Sequence, residues 1–146
     1  IIALAGNVNQ YQPQNILLFF VLIWINNSCA YLIGKKLGKN PLFLRVSPKK
    51  TWEGFVGGLI FTLITALIFH HFYANKSLLY YLIIALITSV LATLGDLIQS
   101  LFKRYAKVKD SGSLIPGHGG FFDRMDSAIF VAPWFYLLLN YKEYVS

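Results

Sequence analysis

Charge is what this sequence has least of. Only 13% of its 146 residues are Asp, Glu, Lys or Arg, about half the share that a soluble domain carries. Together with 56% hydrophobic and 16% aromatic residues and a mean hydropathy of +0.56, the deficit excludes an ordinary water-soluble globule. Cysteine is almost missing too. Cys29 stands alone, which rules out an intramolecular disulfide framework and a multi-cysteine zinc site. The chain opens on Ile1 inside an apolar run, with no initiator Met and no basic stretch before it, and that is not the layout of a signal peptide. Ile1–Ala5 reads as the tail of an earlier span, so residues 1–146 are expected to form a single membrane domain, a fragment of a longer polytopic protein.

What is present is a set of four apolar segments, at about 16–34, 54–74, 78–102 and 127–141, set against the ~20 residues that a membrane helix needs. From Phe55 through Phe72 there is no formal charge at all. The last segment is short and contains Pro133, which neighbouring helices can accommodate. The expected fold class is therefore all-α: a polytopic transmembrane helix bundle of about four spans plus the tail of an earlier one. The net charge is +7, and ten of the thirteen Lys and Arg fall within Lys35–Lys50 and Lys103–Lys109. Two spans separate these stretches, so loops 35–53 and 103–125 lie on the same side. The positive-inside rule makes that side cytoplasmic. Basic residues placed between membrane spans suit lipid headgroups, and nucleic-acid binding is not expected.

Two spans carry polar residues that lipid-facing helices avoid. The first holds Asn26, Asn27 and Ser28, and the third holds Asp96, Gln99 and Ser100. Thr93, Asp96, Ser100, Lys103 and Lys107 recur every three or four residues, which on a continuous helix makes one stripe. A carboxylate at membrane depth normally faces a bundle interior or a wet cavity; a shallow, hydrated position among headgroups is the plainer reading of Asp96. Downstream, Lys103, Arg104, Lys107 and Lys109 precede a glycine-rich turn, Gly117-His118-Gly119-Gly120, and then Asp123, Arg124 and Asp126. The glycines permit close approach to a ligand. Two carboxylates three residues apart, beside Lys and Arg, suit a divalent ion that holds phosphate oxygens, since magnesium takes one or two carboxylates plus phosphates and water. Helix capping accounts for one of those carboxylates. It does not account for both, together with the His-Gly-Gly turn and Asp96. His118 taken alone reads as a solvated loop histidine, and the cations taken alone read as headgroup contacts.

A second cluster is Ser47-Pro48-Lys49-Lys50-Thr51-Trp52-Glu53-Gly54, followed by Gly57-Gly58. It predicts a helix start with Ser47 as N-cap and Pro48 in the first turn. Helix-terminal amides beside Lys49 and Lys50 make a phosphate site; an interfacial helix start anchored by Trp52 is the alternative, compatible reading.

These residues resemble one family. Ser100 through Asp126 is similar to the signature of the phosphatidate cytidylyltransferases: Ser-x-apolar-Lys-Arg, Lys109-Asp110, Pro116-x-His-Gly-Gly, then Asp123-Arg-x-Asp126, with every fixed position filled. The Ser47–Gly54 block and the Gly95-Asp96 pair also resemble this family, so the likeness runs from about Trp24 to the end of the last span. One position departs. Within Trp24–Tyr31, Asn27 stands where the family commonly has Asp.

The resemblance implies transfer of a cytidylyl group from CTP to phosphatidic acid, making CDP-diacylglycerol and pyrophosphate. It also implies a magnesium ion, with room for a second cation, and an active site facing the cytoplasm from a bacterial inner membrane. Position by position it makes Asp96, Asp123 and Asp126 the metal carboxylates, with Asn27 as an oxygen donor beside them. Asp96, Asp123, Asp126, Lys103 and His118 would be catalytic. Ser47, Lys50, Thr51, Glu53, Ser100, Arg104, Lys107, Lys109, Asp110, Gly119, Gly120 and Arg124 would surround the substrates. Membrane lipids are the expected partners, and the oligomeric state is open, a homodimer included. Three other readings remain. A CTP-dependent lipid or polyprenol kinase would transfer the γ-phosphate. A transporter would line its pathway with Asp96 and Asn27. A family member impaired by Asn27 would bind lipid without turnover.

Overall fold

The computed structural model describes residues 13–43, 47–73, 76–106 and 121–139, with residues 121–126 described by backbone alone. Its elements are α1 (Pro13–Leu37), the strands β1 (Pro41–Phe43) and β2 (Ser47–Thr51), then α2 (Trp52–Tyr73), α3 (Leu78–Tyr105) and α4 (Phe121–Leu139). The fold is an all-α bundle with one small hairpin, and each helix falls on one of the four apolar segments. The expected tail of an earlier span, at 1–5, lies outside the described residues.

Helices and apolar runs do not share their ends. The 25 residues of α1 and 28 of α3 extend about 37 and 42 Å, against a hydrocarbon layer of ~30 Å. The surplus carries Lys35 and Lys36 at the last turn of α1, and Lys103 and Arg104 at the last turn of α3. Hydropathy marks only the part that avoids water, whereas the backbone hydrogen bonding of a helix continues into the headgroup layer. Among the described residues α1, α2 and α3 are long and apolar enough to cross a membrane, and α4 contributes a shorter apolar stretch, Ser127–Leu139. Helix α4 starts six residues before its apolar segment, so Asp123, Arg124 and Asp126 stand within its first turns.

The core is a meeting of all four helices: Phe19 and Leu22 from α1, Ala66 from α2, Ile84 and Ala85 from α3, and Val131 and Phe135 from α4 are all buried. The Phe19 and Phe135 rings meet edge to face at 5.1 Å. Helices α1 and α2 make the most extensive contact, because α2 presents Gly54, Gly57 and Gly58 to α1. A Cβ at Gly54 would lie 2.6 Å from the Ala30 carbonyl oxygen, and one at Gly58 would lie 2.9 Å from that of Asn26. Inside lipid, where burying apolar surface gains nothing over leaving it in contact with acyl chains, such small-residue packing is what brings helices together.

The basic segment between α1 and α2 differs from the expectation. Ser47 does not cap a helix; it opens β2, which pairs antiparallel with β1, Phe43 opposite Ser47 and Pro41 opposite Thr51. The residue before a proline is biased towards extended backbone, which suits Ser47 to a strand. The cap of α2 is Thr51, whose Oγ1 accepts the Gly54 amide at 3.2 Å. The hairpin is closed by Asn40. Its carbonyl accepts the Trp52 amide at 3.0 Å, and its own amide and Nδ2 donate to the Glu53 carboxylate at 3.3 and 2.8 Å.

Candidate active site

The hairpin folds back over the end of the bundle where α1 and α3 finish and α2 begins. Beneath it lies a pocket of about 290 Å³ whose lining comes from α1, β1, β2, α2 and α3. Six residues expected from the sequence meet there: Asn27 from α1, Ser47, Lys50 and Thr51 from β2, and Asp96 and Ser100 from α3. The two motif blocks, separate in the chain, thus share one cavity. The α3 stripe is real as far as Ser100, because Thr93, Asp96 and Ser100 all face the pocket.

Lys50 and Asp96 form a direct ion pair across it, with side chains 23% and 36% exposed. Thr93 donates its hydroxyl to the Ser89 carbonyl one turn back, at 3.0 Å, which leaves its lone pairs to the cavity. The floor is Asn26, only 1% exposed. Its Oδ1 accepts the Ser89 hydroxyl at 2.6 Å and lies 3.4 Å from the Thr62 hydroxyl, which itself donates to the Gly58 carbonyl at 2.7 Å. Its Nδ2 donates to Asn27 Oδ1 at 3.3 Å, and Asn27 Nδ2 donates to Ser127 Oγ at 3.2 Å. One chain of side-chain contacts therefore ties α1 to α2, α3 and α4 directly under the pocket.

Other expected residues lie elsewhere. Glu53 does not line the pocket; its carboxylate holds Asn40 and so fixes the hairpin. Lys103 and Arg104 occupy the last turn of α3, beyond the lining. Asp123, Arg124 and Asp126 share the first turns of α4, and their side chains fall outside the described residues. Lys107, Lys109, Asp110, His118, Gly119 and Gly120 lie outside as well. Conversely, Tyr31, Leu42 and Phe55 form an apolar part of the wall that the motifs did not single out. For Tyr31 a signal existed, since it follows Asn27 by four residues on one helix.

Chemically the pocket is two-sided. Two ammonium groups, Lys49 and Lys50, with the hydroxyls of Ser47, Thr51, Thr93 and Ser100, suit phosphate oxygens, and the apolar wall suits a hydrocarbon group. The donors around Asp96 are hydroxyl and amide oxygens, the hard ligands that a magnesium ion accepts with substrate phosphates completing its shell, so these residues fit such an ion. Among the described residues no group of three His, Cys, Asp or Glu gathers to hold a metal unaided.

Comparison with known proteins points the same way. A family model described as "Cytidylyltransferase family" matches residues 3–142. The chain is 47% identical over 135 residues to a phosphatidate cytidylyltransferase of Bacillus subtilis, covering 91% of this chain and 50% of that protein. It is 48% identical over 125 residues to one of Staphylococcus saprophyticus, covering 85% and 48%. With one of Haemophilus influenzae it shares 45% over 125 residues, covering 82% and 43%. The chain spans about half the length of the curated relatives it matches.

Proposed function

The chain belongs to the cytidylyltransferase family, and we propose that it transfers a cytidylyl group from CTP to phosphatidic acid, giving CDP-diacylglycerol and pyrophosphate. The observation that carries this reading is the pocket that unites Ser47, Lys50 and Thr51 with Asp96 and Ser100, polar on one side and apolar on the other.

A phosphate oxygen of phosphatidic acid attacks the α-phosphorus of CTP, and pyrophosphate leaves. The attacking phosphate monoester is already an anion at neutral pH, so no strong general base is needed. Catalysis comes from positioning and from neutralising phosphoryl charge. Lys49 and Lys50 supply the positive charge, and Ser47 and Ser100 orient phosphate oxygens by donating hydroxyl hydrogens. Leu42, Phe55 and Tyr31 receive the glycerol end of the lipid. Asp96, with Asp123 and Asp126, would hold a magnesium ion, whose charge offsets that of the phosphates when it is bound. The cations of the α1 and α3 ends gather at the pocket end of the bundle, whereas Lys76 is the one Lys or Arg among the described residues at the other. That asymmetry supports a cytoplasm-facing site, and the bacterial relatives support a bacterial inner membrane as its location.

The test is conversion of labelled CTP and phosphatidic acid to CDP-diacylglycerol by full-length protein in detergent with magnesium. Turnover is expected, and Asp123→Asn is expected to lower it by roughly a hundredfold or more. Transfer of label from the γ-phosphate to a lipid alcohol would replace this reading with the kinase.

A further inference from the structure

We propose that Lys50 is a built-in stand-in for the divalent cation: it neutralises Asp96 while no cation is bound, and it passes to the substrate phosphate only when a cation takes its place. The inference rests on the reading of the pocket as the substrate site and adds a coupling to it.

Three observations carry it. Lys50 and Asp96 come from different elements, β2 and α3, and meet in a direct ion pair inside the pocket. Both side chains are partly exposed, at 23% and 36%, although the Lys50 Nζ itself is covered. A fully exposed pair would be too weak to hold the hairpin, and a sealed one too costly to break. This pair lies between those limits, where exchange is feasible. Finally, Asp96 is the one carboxylate lining the pocket among the described residues, so an arriving cation and Lys50 compete for the same oxygens.

An ammonium and a divalent cation cannot both sit against one carboxylate without strong like-charge repulsion. Lys50 therefore yields Asp96 when the cation binds. Strand β2 keeps the freed ammonium within the same pocket, beside Ser47 and Lys49, where a phosphate would be its new partner. Cation binding and phosphate binding then favour each other, and the coupling is reciprocal.

The experiment measures Mn²⁺ alone binding to full-length protein in detergent, reading free Mn²⁺ by electron paramagnetic resonance. Asp96→Asn should abolish the site. Lys50→Met should bind Mn²⁺ roughly fivefold tighter than the parent or better, because nothing has to be displaced. Lys50→Arg, which keeps the ion pair, should stay within about twofold of the parent. Lys50→Gln removes the charge with less disturbance of the fold, and it should show a smaller gain in the same direction, because only a neutral donor has to be displaced. Equal or weaker binding in both Lys50→Met and Lys50→Gln, with Asp96→Asn still abolishing the site, overturns the stand-in role and leaves the pocket reading intact. Mn²⁺ binding indifferent to Asp96→Asn overturns the pocket reading itself, and the inference with it.

Discussion

At the residue scale, Asn26 shows how one amide organises a bundle. It is 1% exposed, accepts from Ser89 on α3 and donates to Asn27, which carries the link on to Ser127 of α4. Truncating it strands the Ser89 hydroxyl, which is fully buried. Asn26→Ala should therefore cost about 1–3 kcal/mol, read as a lower midpoint of unfolding in mixed micelles; an unchanged midpoint would refute its central place. Asn27 is different, being exposed at the pocket and held at both ends of its amide. In Asn27→Asp the Ser127 hydroxyl can reverse and donate to the carboxylate, so the link survives and a second anion joins Asp96. Turnover should rise several-fold with the unfolding midpoint preserved, measured by CDP-diacylglycerol formation. Loss of turnover in a folded protein would show that the amide itself is required. The sequence displays Asn26-Asn27-Ser28 as one polar patch. Successive helical residues point about 100° apart, so only the assembled bundle distinguishes the buried hub from the pocket-lining neighbour. The partners Thr62 and Ser89 carried no signal, since a hydroxyl in an apolar span is commonplace and bonds back to its own helix.

At the scale of elements, the pocket depends on how closely α2 approaches α1. Gly54 and Gly57 both serve that approach, and they should not be equally sensitive. A Cβ at Gly54 meets the Ala30 carbonyl oxygen at 2.6 Å and the Gly34 Cα at 3.1 Å, backbone atoms that cannot turn aside. At Gly57 the nearest atoms are Cδ1 and Cγ2 of Ile33, which a change of rotamer moves aside, leaving only its Cβ close, at 3.1 Å. Gly54→Ala should destabilise by about 1–3 kcal/mol and raise KM for CTP as the hairpin shifts, while Gly57→Ala should do less of both; steady-state kinetics beside the unfolding midpoint will tell, and the reverse ranking would contradict the packing. Helices α1 to α4 were legible because apolar runs near the length of a membrane are hard to mistake. The hairpin was not. Strands of three and five residues, one of them Ser-Pro-Lys-Lys-Thr, have no apolar alternation to reveal them, and the same residues carry the marks of a helix start. The cap signal was present but one element late, at Thr51 rather than Ser47. The pocket could be anticipated as chemistry, because its motifs were visible, but not as a shape roofed by β2.

For the molecule as a whole, polarity is inverted relative to a soluble protein: large apolar side chains such as Leu17, Ile60, Leu79, Leu86, Ile129 and Trp134 are exposed on the outside, and the amides and hydroxyls sit at the centre. This arrangement suits lipid surroundings. Its topology is testable with Cys29 replaced by Ala. A membrane-impermeant maleimide should label Lys36→Cys from the cytoplasmic face alone and Lys76→Cys from the opposite face alone. Labelling of both from one face would contradict the charge asymmetry. The location of the hairpin has a last consequence, for the order of manufacture. Everything that builds the cationic wall, from α1 through the hairpin to α2, lies between residues 13 and 73, whereas Ser89, Asp96 and Ser127 are translated later. A nascent chain leaving the ribosome thus makes the positive half of its pocket first, with Lys50 lacking Asp96 and Asn26 lacking Ser89. The arrival of α3 supplies both missing partners in one step, which makes it the keystone of biogenesis: insertion of a single helix pairs Lys50 with Asp96 and Asn26 with Ser89, and α4 completes the floor with Ser127.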